Sequence, residues 1–271
     1  MGHGDGSVSC EMRKTAEPSP VPKKICKNIC ILIFWLVIWE IAAFLVGSSL
    51  ILVSPRATFG RLFELSQTAV FWQSIATSMG RIMLGFGIAV VVGIAIASLA
   101  YISKIFHMLI LPAINVMNAV PFASFIVLAL FAMGSVRISI FVPFVMVLPI
   151  IFHNTHKGVS AADRQLLEMA KVFRVPWWRV VFRIYAKSAA PFVLAAMQVG
   201  IGFAWKSGIA AELIGQVRGT IGGNLHIARI HLQTADLFAW TVAIVLLSYG
   251  MEKIIVWVAG GHSSPLRKHR M

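Results

Sequence analysis

A long polar segment, Lys157–Lys187, interrupts an otherwise apolar chain and constrains its fold more than any other feature. The segment contains seven lysine and arginine side chains against two acidic ones, Asp163 and Glu168. Charged groups cannot lie in the hydrocarbon core of a membrane unless protein or a water-filled cavity covers them. Because long apolar runs flank the segment on both sides, it must project into water on one face of a membrane.

The composition places the chain among integral membrane proteins. Hydrophobic residues make up 58% of its 271 residues and charged residues only 13%, whereas soluble domains are about half apolar and about a quarter charged. The net charge of +14 comes from basic residues that flank the apolar runs, where membrane topology requires them. This distribution disfavours nucleic-acid binding and predicts a single membrane domain.

Six apolar runs reach or approach the ~20 residues that a spanning helix needs. They are Ile29–Val53, Ile82–Tyr101, Met108–Met133, Ile138–Phe152, Pro191–Leu213 and Leu237–Ala259. The fourth run is the shortest, and a helix that crosses the membrane there must also include neighbouring polar residues. Two prolines interrupt the third run and two the fourth, which predicts broken helices there, covered by protein or by a water-filled cavity. The sequence therefore predicts an all-α membrane protein with six transmembrane helices.

The distribution of positive charge predicts the orientation of these spans. With the N-terminus in the cytoplasm, 17 lysine and arginine residues fall on the inner side and 6 on the outer side, as the positive-inside rule requires. Both termini and the polar segment are then cytoplasmic. Residues 1–28 are predicted to form a disordered cytoplasmic tail, residues 29–260 the transmembrane domain, and residues 261–271 a basic cytoplasmic tail.

Two helices are predicted inside the polar segment. The first covers Ala161–Phe173, with Ser160 as its N-cap, because its apolar residues recur at helical spacing. Those apolar residues are Leu166, Leu167, Ala170 and Phe173. Pro176 disfavours α geometry in the residue before it and can open the second helix as its first residue. The segment is therefore either a two-helix knob that docks onto a partner or an amphipathic surface that lies on anionic lipid.

The polar segment resembles the coupling loop of ABC importer permeases of the binding-protein-dependent type. The motif of that family is Glu-Ala-Ala, three residues, Gly, nine residues, Ile, one residue and Leu-Pro. This chain matches the motif at Glu168, Ala170 and Ile184. It departs from the motif at Met169, Arg174, Ala186 and Lys187. Because Arg174 lacks the conformational freedom of the family's glycine, we expect Pro176 to provide the bend instead.

Further landmarks resemble the nitrate, sulfonate, taurine and bicarbonate subgroup of that family, and their order and spacing make the resemblance specific. They are Trp39-Glu40, Ser78–Arg81, Gly85-Phe86, Ala119–Pro121, Trp178-Arg179, Ala189–Pro191, Gly200–Trp205 and Ala211–Gly215. The resemblance covers the chain from Trp39 to the end of the sixth span. It implies a permease domain at 29–260, with a cytoplasmic two-helix coupling loop, 157–190, between spans four and five.

By this resemblance, the coupling loop inserts into a groove of a cytoplasmic ATP-binding cassette ATPase. The residues implied in this coupling are Arg164, Leu167, Glu168, Ala170, Phe173, Arg174 and Trp178. The chain has no Gly-x4-Gly-Lys-Ser/Thr phosphate loop, so ATP and Mg are expected on the partner ATPase and no cofactor on this chain. The other implied partners are a second permease copy, as a homodimer, an extracytoplasmic solute-binding protein and the lipid of a bacterial inner membrane.

Ionisable residues inside spans are candidates for function, and Glu40, Lys206 and Glu212 qualify. By resemblance the fifth span lines the translocation pathway, where Lys206 would attract an anionic substrate. Alternatively, Lys206 pairs with Glu40 as an intramembrane charge partner, or its side chain snorkels to the interface. Asn118 and Pro121 lie at the break of the third span and are expected to face the bundle interior. The predicted pathway residues are therefore Asn118, Pro121, Lys206 and Glu212, with a purely structural kink as the alternative for the break.

The function implied is the permease subunit of an ATP-driven importer for a small anionic solute, such as a sulfonate, taurine or nitrate, delivered by an external binding protein. The outward loop Gln216–Thr234 is either a dock for that protein or a solvated loop. The alternative is a stand-alone secondary transporter or channel, for which neither inverted repeats nor a filter-like loop is visible. A membrane enzyme is disfavoured because His107, His153 and His156 lack catalytic partners, and no metal site is predicted.

Overall fold

The computed structural model describes the backbone of residues 21–260 and the side chains of residues 30–254. The predicted C-terminal tail and most of the predicted N-terminal tail lie outside these residues. The described chain is helical, without strands. Its helices are α1 (Val21–Val46), α2 (Pro55–Ser66), α3 (Ala69–Ile102), α4 (Lys104–Ala119), α5 (Phe122–Met133), α6 (Ser135–Ser160), α7 (Arg164–Val172), α8 (Trp177–Val180), α9 (Ala186–Ile214), α10 (Ile221–Ile230) and α11 (Thr234–Gly260), with a π-helical turn at Val181–Tyr185.

The prediction of an all-α membrane fold is confirmed, but the count of six spans is not. Within the described residues, four helices are long and apolar enough to cross a membrane: Ala69–Ile102, Ser135–Ser160, Trp177–Ile214 and Thr234–Ile254. The pair α4 and α5 qualifies as a fifth span only when taken together, and its two halves are bent by 108°. The apolar stretch of α1, Cys30–Val46, is shorter than a full span, so the first crossing stays a prediction.

Helices α3, α6 and α9 form the centre of the bundle. Helix α6 packs along both of the others, and small residues permit the close approach. A Cβ atom on Gly158 of α6 would lie only 2.8 Å from the Cα atom of Ala189 in α9. Helix α10 packs across α9, α11 and α3. We call the end of the bundle that carries the polar segment the inner end, and the end that carries α2 and α10 the outer end.

The prediction of broken helices is right for the third span and wrong for the fourth. Helix α6 runs without interruption through Pro143 and Pro149, both of which are buried. A proline removes one backbone hydrogen bond, and closely packed neighbouring helices compensate for the freed carbonyl group. In the third run, α4 likewise continues through Pro112. The chain bends only at Pro121, which separates α4 from α5.

The fifth span is longer than predicted. Residues Trp177–Ile214 form one continuous helix that consists of α8, the π-helical turn and α9. Pro191, which was expected to open this span, instead lies inside α9. A proline here leaves the carbonyl oxygen of Lys187 without its helical partner, and Lys187 is exposed near the inner end, where water can bind that oxygen. The second helix of the polar segment is therefore the inner end of the fifth span.

Candidate coupling surface and pathway residues

Helix α7 begins at a different cap from the one predicted. Ser160 is the last residue of α6, so it cannot also cap a new helix. Asp163 caps α7 instead, because its carboxylate accepts a 2.8 Å hydrogen bond from the backbone N–H of Gln165. A carboxylate at this position also interacts favourably with the helix dipole. The predicted helix therefore starts at Arg164, three residues later than expected.

The end of α7 corrects the prediction about Arg174 and Pro176. The backbone of Arg174 has a left-handed conformation with φ of 48°, which costs an L-residue about 1 kcal/mol. The N–H of Val175 donates to the carbonyl of Ala170 at 2.9 Å, and the N–H of Arg174 donates to that of Lys171 at 3.1 Å. These two bonds form a Schellman motif, in which glycine usually holds the left-handed position. The bend therefore stays at Arg174, and Pro176 only caps the next helix.

The predicted apolar face of α7 is divided between two environments. Ala170 is buried and Leu167 is half-buried. Leu166 and Phe173 are exposed, the latter by 73%. The exposed large apolar residues at this end form a patch that we call the coupling surface, and it consists of Met169, Val172, Phe173, Trp177 and Trp178. Arg164, Glu168 and Arg174 are also exposed. Sequence reasoning missed Met169 and Val172, which lie outside the predicted apolar face.

Three of the four predicted pathway residues are uncovered in the single chain. Asn118 and Pro121 are exposed at the break between α4 and α5. Lys206 is exposed on α9, where the uncovered residues recur at helical spacing. We call this stripe the open face of α9, and it consists of Ala195, Val199, Phe203 and Lys206. Within the part of the chain that the structure describes, no atom of another helix comes within 4 Å of the position of a Cβ on neighbouring Gly202.

The structure gives Glu40 a different partner from the one predicted. Its carboxylate lies 3.9 Å from the guanidinium of Arg56 in the first turn of α2, and both side chains are well exposed. Helix α1 lies at the periphery, where the indole N–H of Trp39 donates to the carbonyl of Val53. Helix α9, by contrast, lies in the centre of the bundle. Among the described residues, Lys206 forms no ion pair within 4.0 Å, so the intrachain pairing of Glu40 with Lys206 is corrected.

Glu212 lies in the packed core rather than on the open face of α9. It is fully buried, and its Oε2 atom accepts a 2.7 Å hydrogen bond from the hydroxyl of Ser78 and a 3.2 Å bond from the N–H of Gly222. The Ser78 hydroxyl in turn accepts a 2.9 Å bond from the N–H of Ile221. We call these four residues the Glu212 anchor. It joins α3, α9 and the first turn of α10. It therefore brings together two separate sequence landmarks, Ser78–Arg81 and Ala211–Gly215.

The segment Gln216–Thr234, predicted as a loop, contains an ordered helix. The hydroxyl of Thr220 caps α10 by accepting a bond from the N–H of Gly223 at 3.0 Å. Asn224 donates to the hydroxyl of Ser74 at 2.8 Å, and most of α10 is buried. The segment is therefore packed onto the bundle, and the interpretation as a solvated, pliable loop is wrong for residues 221–230.

An ion-pair cluster fixes α2 against the start of α11. Arg61 binds the carboxylate of Asp236, with its Nη2 atom 3.2 Å from Oδ2, and also lies 2.7 Å from the carboxylate of Glu64. Hydrogen bonds to these two carboxylates raise the pKa of the Arg61 guanidinium well above its ordinary value. No group of three or more histidine, cysteine or acidic residues that could hold a metal ion occurs in the described part of the chain.

The sequence matches known proteins over most of its membrane domain. Residues 85–258, more than half of the chain, match the family model described as "Binding-protein-dependent transport system inner membrane component". A relative in Brucella melitensis, named a probable ABC transporter permease protein, is 26% identical over 208 residues, which cover 76% of this chain and 84% of that protein.

Two further relatives have names that include a solute. The bicarbonate transport system permease protein of Synechococcus elongatus is 24% identical over 192 residues, which cover 70% of this chain and 68% of that protein. The nitrate import permease protein of a Synechocystis species is 28% identical over 201 residues, which cover 70% of this chain and 72% of that protein. Both named solutes are small anions.

Proposed function

Because the chain belongs to the family of binding-protein-dependent transport system inner membrane components, which are ABC transporter permeases, we propose that it forms the pathway of an ATP-driven importer for a small anion. The resemblance inferred from the sequence landmarks is confirmed by this membership. Proteins of this kind are membrane transport components rather than enzymes. The proposed partners are a cytoplasmic ATP-binding cassette ATPase, which carries ATP and Mg, a second permease copy and an extracytoplasmic solute-binding protein.

The exposure of Lys206 carries the proposal that the solute is an anion. Lys206 lies eight positions before the outer end of α9 at Ile214, or about 12 Å along the helix. A lysine that faced lipid at this depth would cost about 2.5–3.5 kcal/mol. The side chain therefore faces a partner protein or water, and its charge favours an anionic solute. Bicarbonate and nitrate, which appear in the names of two relatives, fit this charge.

The open face of α9 supports the proposal of a second copy. Ala195, Val199 and Phe203 extend the same uncovered stripe as Lys206 toward the inner end. If two copies face each other across this stripe, the pathway between them carries two lysine side chains, one from each chain. Asn118 and Pro121 are proposed to line the same pathway from the break of the third span, where the chain is also uncovered.

The coupling surface supports the proposal of an ATPase partner. Large apolar side chains such as Phe173 and Trp177 are exposed by 73% and 78%, at an end of the bundle where water is expected. An exposed patch of this kind typically marks a site of protein interaction. Trp178 and Lys206 belong to one continuous helix and are about 42 Å apart along it. A displacement of the coupling surface by the ATPase would therefore be transmitted along this helix toward the pathway.

Uptake into proteoliposomes tests the anion pathway. The chain is reconstituted with a candidate ATPase and a candidate binding protein from the same organism, and uptake of labelled nitrate, bicarbonate and an aliphatic sulfonate is measured. We expect Lys206→Met to lower uptake at least tenfold, which corresponds to about 1.4 kcal/mol, and Lys206→Arg to retain most of it.

The control is Lys253→Met, which removes an exposed lysine from the C-terminal part of α11. Uptake by Lys206→Met that equals the uptake by this control would contradict the role of Lys206 in the pathway. Uptake that needs no ATPase would favour a stand-alone transporter or channel instead.

A further inference from the structure

An apolar groove lies between the inner halves of α3, α6 and the helix Trp177–Ile214. Its cavity has a volume of about 650 Å³. The walls are mostly aliphatic and aromatic and include Ile94, Ile102, Val159, Phe182, Ala186 and Val193; the hydroxyl side chains of Ser98 and Thr155 also line the groove. The groove lies away from the open face of α9, and none of the predicted pathway residues lines it.

The length of the groove matches one leaflet of a membrane. On the fifth span it extends from Val181 to Val193, which is about 18 Å along a helix. Half of the ~30 Å hydrocarbon core is about 15 Å. The hydroxyl of Ser98, which lies in the wall, donates to the carbonyl of Ile94 in its own helix at 2.8 Å, so it does not need a polar partner inside the groove.

The inner mouth of the groove is aromatic and positively charged. The rings of Tyr101 and Tyr185 lie 5.5 Å apart at this end. Arg179, Arg183 and Lys187 follow one another at four-residue spacing, and all three are exposed. Two of them adjoin residues of the groove wall, Phe182 and Ala186.

A further cation and an aromatic side chain lie at the same mouth. Lys104 is exposed two positions after Ile102, on the opposite wall. The guanidinium of Arg179 lies 4.9 Å from the centre of the Trp178 ring, and tryptophan is typical of the membrane–water interface. Acidic residues occur in the chain between Ile94 and Val193 only at Asp163 and Glu168, at or within α7. The mouth is therefore suited to a negatively charged group at the membrane surface.

We propose that the groove holds one acyl chain of an anionic phospholipid from the inner leaflet, with the phosphate of its headgroup at Arg179 and Arg183. The apolar walls accept the chain, the length matches one leaflet, and the cations and tyrosine hydroxyl groups lie where the phosphate and ester groups would be. Helix α1 of a second copy fits less well, because the sequence at its start carries Lys23, Lys24 and Lys27. Those charges would repel the basic mouth.

The lipid would also contact the joint between the polar segment and the membrane. The π-helical turn Val181–Tyr185 forms the inner part of the groove wall, and a π-helical turn is a common site of local adjustment in a helix. A bound acyl chain would fix the position of this turn against α3 and α6. Occupancy of the groove would therefore stabilise the inner end of the fifth span.

Native mass spectrometry of the purified full-length chain tests this proposal. The protein is delipidated and then incubated with detergent micelles that contain either phosphatidylglycerol or phosphatidylcholine. We expect the unmodified chain to retain one phosphatidylglycerol, with a preference of at least about tenfold over phosphatidylcholine. Ala190→Trp, which fills the groove from an exposed position in its wall, should lose the retained lipid.

Two controls separate the acyl-chain site from the headgroup site. Ala113→Trp places the same side chain at an exposed position of α4 that does not line the groove and should retain phosphatidylglycerol. The double variant Arg179→Gln with Arg183→Gln should keep the bound lipid but reduce the preference between the two lipids to within about twofold. Retention of phosphatidylglycerol by Ala190→Trp at the level of the Ala113→Trp control would refute the proposal. Cross-linking of cysteines placed at Ala186 in two copies would also refute it, because it would identify a second chain as the occupant.

Discussion

Removal of the Ser78 hydroxyl is expected to destabilise the protein strongly, because this one group serves two buried partners. It donates to the Glu212 carboxylate and accepts the N–H of Ile221. In Ser78→Ala the buried N–H loses its only acceptor, at about 1–3 kcal/mol, and the carboxylate loses a bond of about 1.5–3 kcal/mol. Since the two terms are coupled and do not add fully, we expect a total loss of about 3 kcal/mol.

Thermal unfolding of the detergent-solubilised protein measures this loss. For a chain of this length about 1 kcal/mol shifts the Tm by 2–4 °C, so the expected fall is about 6–12 °C. The matched control is Thr77→Ala, one residue away, whose hydroxyl bonds only to the carbonyl of Gln73 in its own helix at 2.8 Å. This control should change stability by no more than about 0.5 kcal/mol.

Two substitutions of Glu212 separate the contribution of the anchor's hydrogen bonds to stability from the contribution of side-chain packing. Glu212→Gln keeps an amide oxygen that can accept the bonds from Ser78 and Gly222, whereas Glu212→Leu leaves both donors without a partner. We therefore expect the leucine variant to be less stable than the glutamine variant by about 2 kcal/mol or more. Equal Tm values for Ser78→Ala and Thr77→Ala would refute the reasoning, because the anchor would then contribute nothing beyond an ordinary helix contact.

Two further predictions concern the polar segment. Arg174→Gly should raise the stability of the α7 turn by about 1 kcal/mol, because glycine adopts the left-handed conformation without strain; an unchanged or lower Tm would contradict this. Glu168→Arg should leave membrane insertion intact but abolish co-purification with the ATPase, because it reverses an exposed charge beside the coupling surface. Glu252→Arg, the same change at an exposed site on α11, should co-purify normally, and equal recovery of the ATPase by both variants would reject the docking role.

The membrane helices were largely predictable from the sequence, because a chain in lipid can adopt few kinds of secondary structure. A backbone in hydrocarbon must satisfy its own hydrogen bonds, so long apolar runs become helices. The break at Pro121 was predictable for the same reason. The continuity of α6 and α9 was not, because a proline inside a helix has two possible outcomes. A proline is tolerated inside a helix where neighbouring helices or water can bind the freed backbone group, and only tertiary packing reveals where such compensation exists.

The Glu212 anchor could not be predicted, because its partners are far apart in the sequence. Ser78 precedes Glu212 by 134 positions, and no local pattern links them. A carboxylate inside a span favours a pathway role by default, and that default led the sequence analysis to group Glu212 with Lys206. Glu212 and Lys206 differ in whether neighbouring helices provide hydrogen-bond partners for their side chains. Helix α10 offers two backbone N–H groups to the anchor, whereas Lys206 is exposed among the described residues.

The distribution of buried residues along the fifth span indicates which of its ends is fixed. From Gly200 to Glu212 most residues of α9 are buried, whereas only Ala189 and Ala196 are buried in its inner half. The outer half is also the part that the Glu212 anchor joins to α3 and α10. A helix with few buried contacts at one end has lower local stability there. An ATPase acting at the coupling surface would therefore move the inner half of this helix about a fixed outer half, and the lipid groove lies on the half that moves.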